Sequence, residues 1–531
     1  MSNQNIGFIY LVLLAQMVLF LSRAVVDFIR RWILLHISTR INVSLISDFL
    51  IKLMKLPMSF FDTKLVGDIL QRMEDHRRIE RFLTAQSLGV VFSFFNFIIF
   101  GIVLLIYSLK IFVIFLAGSI FYTAWIFLFL KKRRMLDYKQ FEQEAINQSK
   151  IYQLINGMQE IKLQNCEKRK RWEWEDVQAD LFYVNVASLS LEQWQNGGTV
   201  FINELKNILI TVLAATAVIN GTLTLGMMLA IQYIIGQLNS PLEQLVEFIH
   251  NMQDVKISLD RLAEIHRKED EEVEPEAKLR GILRGNRSIE IENLCFQYEG
   301  PHSPKVLQNI DLIIPQGKVT AIVGASGSGK TTLVKLLLGY YTPTEGLIKI
   351  DGHELSEYDI RWWRNQCGAV MQDGFIFSES IARNIAVSDD EIDKQKLLQA
   401  AKMANIHSFI SELPLAYNTE VGQEGQGISQ GQRQRILISR AVYKNPDFLF
   451  LDEATNALDA RNEKEISENL DRFYQGKTVV IVAHRLSTVK NADQIVVLDQ
   501  GEIVELGTHA ELTQKRNYYY ELVKNQLELG V

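Results

Sequence analysis

Cysteine is close to absent from this 531-residue chain. The three present, Cys166, Cys295 and Cys367, lie far apart with no metal-ligand spacing, which excludes a disulfide framework and fits a reducing compartment. A strong net charge is also missing. The formal net charge of -6 is modest for this length and gives no argument for nucleic acid as a partner. Proline numbers only nine, so long helical stretches meet few breakers. The start of the chain lacks both the basic residues and the small-residue cleavage site of a secretory signal peptide.

What the chain does have is apolar length, concentrated in its first half. Residues 6–22 are uncharged and nearly all apolar, and further apolar segments run over about 87–109, 111–130, 200–219 and 225–248. Each approaches the ~20 residues needed to cross a bilayer, which predicts about five membrane spans. Arg30, Arg31, Arg40, Lys52 and Lys55 follow the first, and KKRR (131–134) and KRKR (168–171) follow the third. The turns at 108–110 and 220–224 hold one lysine between them. By the positive-inside rule the long connections are cytoplasmic and the short ones external. The long connections show helical periodicity, which predicts spans that continue beyond the bilayer and return through turns near LPMSFFD (56–62) and near 162–168. Arg23 and Asp27 read either as cavity residues or as the cytoplasmic end of a span, with Asn96, Gln232 and Tyr233 as weaker polar candidates.

The run RKEDEEVEPE at 267–276 is charged and poor in apolar residues, as a solvated linker is. Residues 1–266 thus read as a membrane domain, 267–287 as a linker and 288–531 as a soluble domain. Strands are predicted near 288–298, 306–314, 318–323, 448–451, 479–482 and 495–498, separated by helical stretches. That alternation predicts a mostly parallel α/β sheet with an antiparallel contribution from the first strands.

GASGSGKTT, residues 324–332, follows one of these strands and opens a helix, the context a P-loop requires. Gly324, Ala325, Ser326, Gly327, Ser328 and Gly329 form the loop whose backbone N–H groups cradle phosphate. Lys330 supplies a positive charge for the β and γ phosphates, Thr331 a hydroxyl for Mg²⁺, and Thr332 closes the nucleotide-binding run. Further on, FLFLDE (448–453) places Asp452 for the metal shell and Glu453 where a carboxylate orients or deprotonates an attacking water. Without the P-loop the first motif would be a glycine turn and the second a helix cap.

Between and after these anchors lie GISQGQRQR (427–435), ATNALD (454–459) and VAHR (482–485). In that order they resemble the signature, D-loop and H-loop of ABC transporter ATPase domains. Five spans fused ahead of such a domain resemble an ABC exporter half-transporter, and the likeness covers nearly the whole chain. The resemblance implies ATP and Mg²⁺ as ligands. It implies that Tyr298 stacks on adenine and that Gln372, in VMQDGFIF, senses Mg²⁺ and contacts the membrane region. His484 is implied to hold the γ phosphate, and Ser429, Gly431 and Gln432 to bind the nucleotide of an opposite subunit. The fold so implied is a membrane α-helical bundle with long cytoplasmic extensions, fused to an α/β P-loop ABC ATPase domain with an antiparallel β subdomain.

Two positions depart from the family pattern. Gln430 stands where the signature usually has a glycine, and a helix-forming φ there tolerates it. In TEVGQEG, Gln423 precedes Glu424 where many exporters place the glutamate one residue earlier. The stretch 56–75 and YQLINGMQEIKLQNCE resemble the intracellular loops of bacterial peptidase-containing bacteriocin and peptide exporters. The resemblance implies ATP-driven export of a peptide across the bacterial cytoplasmic membrane by a dimer, most economically a homodimer but also possible as a heterodimer. A lipid or drug exporter, or an ATP-gated protein that does not transport, are the alternatives. Those relatives carry six spans and a cysteine peptidase, so an odd span count predicts a missing first span and a peptidase encoded upstream. None of the three cysteines has a nucleophile context, so no peptide cleavage is expected of this chain.

Overall fold

The computed structural model describes residues 6–529 apart from 65, 273–277, 282–284, 299–302, 423–426, 457, 459 and 484–488. The chain divides into two compact units, Met1–Leu56 with Phe60–Asp270, and Pro57–Ser59 with Glu271–Val531.

The first unit is helical. α1 (Ile6–Met54), α5 (Leu109–Asn156), α7 (Glu167–Ile219) and α8 (Leu225–His266) are each more than 40 residues long. α3 (Val66–Arg81) passes through a π-helical turn at Phe82–Gln86 into α4 (Ser87–Tyr107). The short helices α2 (Met58–Thr63) and α6 (Met158–Leu163) form where sequence predicts the intracellular turns. At the opposite ends the breaks are local and chemical. Ser108 is extended and its hydroxyl accepts from Ile111 N–H to start α5, and Thr224 caps α8 by accepting from Met227 N–H.

Among the described residues, four helices are long and apolar enough to cross a membrane, beginning at Tyr10, Gly67, Leu109 and Glu167. The stretch expected as a fifth span forms the first half of α8 and falls short of that measure, its apolar residues interrupted by Gln232, Gln237, Asn239, Ser240, Glu243 and Gln244. α4, α5, α7 and α8 share a core that includes Leu104, Phe115, Ile210, Ile231 and Leu238. The polar residues singled out from sequence lie outside that core. Arg23, Asn96, Gln232 and Tyr233 are exposed on the chain, and Asp27 pairs with Arg30 on α1 itself at 3.0 Å. A cation buried beside that core is Lys206 of α7. Its Nζ donates to Asn239 Oδ1 at 2.9 Å and lies 4.5 Å from the centre of the Phe115 ring. Gly118 makes room for its stem, because a Cβ there would come within 2.8 Å of Lys206 Cγ.

The second unit holds a six-stranded sheet in the order β12-β11-β3-β10-β9-β6 and a four-stranded antiparallel sheet, β2-β1-β4-β5. The large sheet comprises β3 (Val319–Gly324), β6 (Cys367–Val370), β9 (Phe448–Asp452), β10 (Thr478–Val482), β11 (Gln494–Asp499) and β12 (Glu502–Gly507). The small one comprises β1 (Ile289–Phe296), β2 (Leu307–Ile314), β4 (Glu345–Ile350) and β5 (His353–Glu354). β7 (Glu379–Ser380) and β8 (Glu420–Val421) form a separate pair. FLFLD and TVVIV are buried along their whole length, as strands covered on both faces must be. Alternate residues feed two cores. Leu449, Leu451, Val479 and Ile481 face one layer, and Phe448, Phe450, Val480 and Val482 face the other with Trp363 and the small sheet. The first strands therefore form a sheet of their own, and the antiparallel edge of the parallel sheet is β12.

Part of the stretch expected to be a solvated linker is fastened to the second unit. Glu271 receives both Arg364 guanidinium nitrogens at 2.8 and 2.6 Å, Arg280 donates to Asp359 at 2.7 Å, and Leu279 bridges Tyr358. The charges that mark the run as polar are the groups that pin it down.

Candidate active site

The parallel strands set the site. The phosphate loop follows β3, the segment carrying Gln372 follows β6, Glu453 follows β9 and Ala483 follows β10, so residues far apart in sequence gather at the carboxyl ends of neighbouring strands. Open α/β sheets bind ligands at that edge.

The loop needs its glycines for different reasons. A Cβ on Gly324 would lie 2.0 Å from the Leu498 carbonyl oxygen, and one on Gly329 would lie 2.6 Å from Leu307 Cδ2. Gly327 has open space around it, but its φ of +81° is left-handed. Ala325, Ser326 and Gly327 are exposed, while Ser328 and Thr332 are buried. Lys330 opens the helix Lys330–Leu337, and its Nζ turns back to donate to the carbonyls of Gly324 at 3.0 Å and Ala325 at 2.8 Å. Burial lowers the Lys330 ammonium below its ordinary range, opposed by the charges of Glu453 and Asp452.

Asp452 is fully buried, and among the described residues neither of its oxygens meets a donor in hydrogen-bond geometry. Burial pushes its carboxyl up, countered by the neighbouring Thr331 hydroxyl. An ionisable carboxylate left without donors beside a hydroxyl is the oxygen donor set that a hard cation takes, so Asp452 and Thr331 fit Mg²⁺. Glu453 adopts φ +53°, its N–H donates to Val482 O at 3.0 Å, and its Oε2 accepts from Gln372 Nε2 at 3.1 Å. Gln372 thus reaches Glu453 from the segment that follows β6.

Tyr298 is 41% exposed; its hydroxyl lies 2.9 Å from Thr332 Oγ1, and its ring stands edge-on to Phe296 and Tyr341. The signature residues sit elsewhere. Ser429 caps the helix Gln430–Lys444, its hydroxyl accepting from Gln432 N–H at 3.2 Å while Gln432 Oε1 accepts from Ser429 N–H at 2.8 Å. Gln430 is the first helical residue and is exposed, with Gly431 next in the same turn. Among the described residues none of these four shares a hydrogen bond with the phosphate loop. His484 and Arg485, Gln423 and Glu424, and Ala457 and Asp459 lie outside the described residues.

Two residues of the kind that carry function were passed over in sequence. Asn456 donates to Glu453 Oε2 at 2.7 Å, although only its place in ATNALD marked it. Lys206 was visible as a charge inside an apolar run.

The family models agree with this arrangement. Residues 1–242 match the family model described as ABC transporter transmembrane region, and residues 307–456 match the one described as ABC transporter. The leukotoxin translocation ATP-binding protein LktB of Bibersteinia trehalosi is 38% identical over 503 residues, covering 94% of this chain and 70% of that protein. LktB of Mannheimia haemolytica matches with the same identity and coverage. A bacterial Atm1-family ABC exporter solved with ATP bound superposes with a TM-score of 0.90 at 26% identity, covering 99% of this chain and 92% of that one. A nucleotide cradle at the strand ends, a helical membrane unit and these relatives lead to one conclusion: the chain belongs to the ABC transporter family, as an exporter-type half-transporter embedded in the membrane, with a cytoplasmic domain that binds and hydrolyses ATP to drive transport.

Proposed function

We propose that the chain exports a peptide or longer polypeptide, acting as a homodimer that hydrolyses ATP at two composite sites. The observation that carries the substrate is the 38% identity to proteins named for leukotoxin translocation, sustained over 94% of this chain. The dimer is supported by the separation, within one chain, of Ser429, Gly431 and Gln432 from the phosphate loop. Each chain contributes both halves, so two copies complete two sites.

In this reading Tyr298 stacks on the base, residues 324–332 hold the phosphates, and Lys330 exchanges two carbonyls for phosphate oxygens. Asp452, Thr331 and Gln372 would hold Mg²⁺, which on binding neutralises phosphate charge. Glu453 orients or deprotonates the water, and His484 holds the γ phosphate. ATP binding closes the dimer, and the movement passes through the cytoplasmic helix extensions to the spans.

Two measurements on protein reconstituted in liposomes test it. Glu453→Gln is expected to bind a fluorescent ATP analogue normally and to lose steady-state hydrolysis, by 100-fold or more as an order of magnitude. Native-rate turnover by that variant would remove Glu453 from the mechanism. For the substrate, peptides are expected to stimulate ATPase activity and to accumulate in inside-out vesicles with ATP. Stimulation by lipids or apolar drugs alone would replace the peptide reading.

A further inference from the structure

The chain leaves β9 through the left-handed Glu453, whose N–H is fixed on Val482 O and whose carbonyl accepts Asn456 N–H at 3.2 Å. That closed turn brings the Asn456 side chain back over Glu453, and its Nδ2 reaches Oε2 at 2.7 Å. Gln372 Nε2, arriving from the segment after β6, donates to the same oxygen. An ionised carboxylate only accepts, so both amides must present their NH₂ groups, and their orientation is settled by chemistry. Two charge-assisted donors converging on one oxygen, one from a rigid turn and one from another strand end, fix the rotation of the carboxylate plane.

We infer that Asn456 is a positioning residue for ATP hydrolysis, holding the Glu453 carboxylate in the orientation that activates water. The inference rests on the reading of Glu453 as the group that acts on water. A merely space-filling asparagine would do none of this, and aspartate separates the two roles. Asparagine and aspartate have the same shape, but aspartate cannot donate at neutral pH and sets a negative charge against Oε2.

The test uses the whole 531-residue chain, reconstituted in liposomes. Asn456→Ala is expected to lower kcat about tenfold with KM for ATP unchanged, because misorientation of a reacting group acts on the chemical step. Asn456→Asp is expected to fall at least as far. Unchanged thermal midpoints and unchanged binding of a fluorescent ATP analogue confirm that the variants are folded and loaded. Native kcat in Asn456→Asp, or a defect confined to KM, overturns the positioning role. Glu453→Gln runs alongside: if it is inactive while Asn456→Asp is native, only the role of Asn456 falls, whereas native turnover by Glu453→Gln removes the catalytic reading and this inference with it.

Discussion

Burial holds the Asp452 carboxyl above its ordinary range, although the Thr331 hydroxyl favours its ionised form. A carboxyl raised in the folded state stabilises the fold fully below its unfolded pKa, and that contribution is lost as pH rises through the folded value. At neutral pH the group therefore opposes folding of the nucleotide-free protein. Asp452→Asn is expected to raise the thermal midpoint of the nucleotide-free chain by roughly 2 °C, equivalent to about 1 kcal/mol, while abolishing hydrolysis. The stabilisation should fade as pH is lowered, because the native carboxyl then protonates. A midpoint that falls, or a gain that grows at low pH, would contradict this assignment of the burial penalty. The phosphate-loop residues were legible because their chemistry is local: nine consecutive positions carry the whole cradle. Asn456 was not, because its role depends on the left-handed backbone at Glu453, which no sequence pattern requires of a glutamate.

Ser429 and Gln432 form a reciprocal cap at the start of the helix Gln430–Lys444, so these residues have a folding role within their own chain. Ser429→Ala is expected to cost about 1 kcal/mol of stability of the ATPase domain, seen in its denaturation midpoint. Gln430 occupies the first helical position, where a side chain meets no steric penalty. Gln430→Gly should preserve or raise ATPase activity, and a large loss would show that the glutamine makes a needed contact. The long helices were legible because α5 and α7 run without proline from end to end. The buried strands were legible from uninterrupted apolar runs. The fastening of Glu271 and Arg280 was hidden, since a charged run looks the same in sequence whether water or a partner side chain receives it. Lys206 stood in plain view as a charge but did not stand out, because one charge scarcely lowers the apolar character of a whole span, yet Gly118 and Asn239 are arranged around it.

The dimer is tested by mixing inactive chains. Lys330→Ala lacks the phosphate contact, and a bulky Ser429→Arg blocks the signature; each alone is expected to be inactive. Co-expressed, they should recover part of the ATPase activity, because a heterodimer of the two contains one composite site with both halves native. A mixture as inactive as its parts would mean that the site is completed within one chain. The class of molecule was legible from the order of motifs along the chain. The number of spans was less so, because α8 mixes amides and a carboxylate into its apolar half and only packing against its neighbours shows which face is buried.

α5 and α7 are 48 and 53 residues long. At ~1.5 Å per residue each measures roughly 70–80 Å, against a hydrocarbon core of ~30 Å, so about 40 Å of rod stands outside the bilayer. Such rods are levers with their fulcrum in the lipid. Rotating one by about 5° swings the end of a ~40 Å arm through roughly 3–4 Å, with no helical hydrogen bond broken. A torque applied at one end of such a rod is carried along it, and the stiffness of an unbroken helix sets how faithfully a small turn at one end becomes a change of angle at the other.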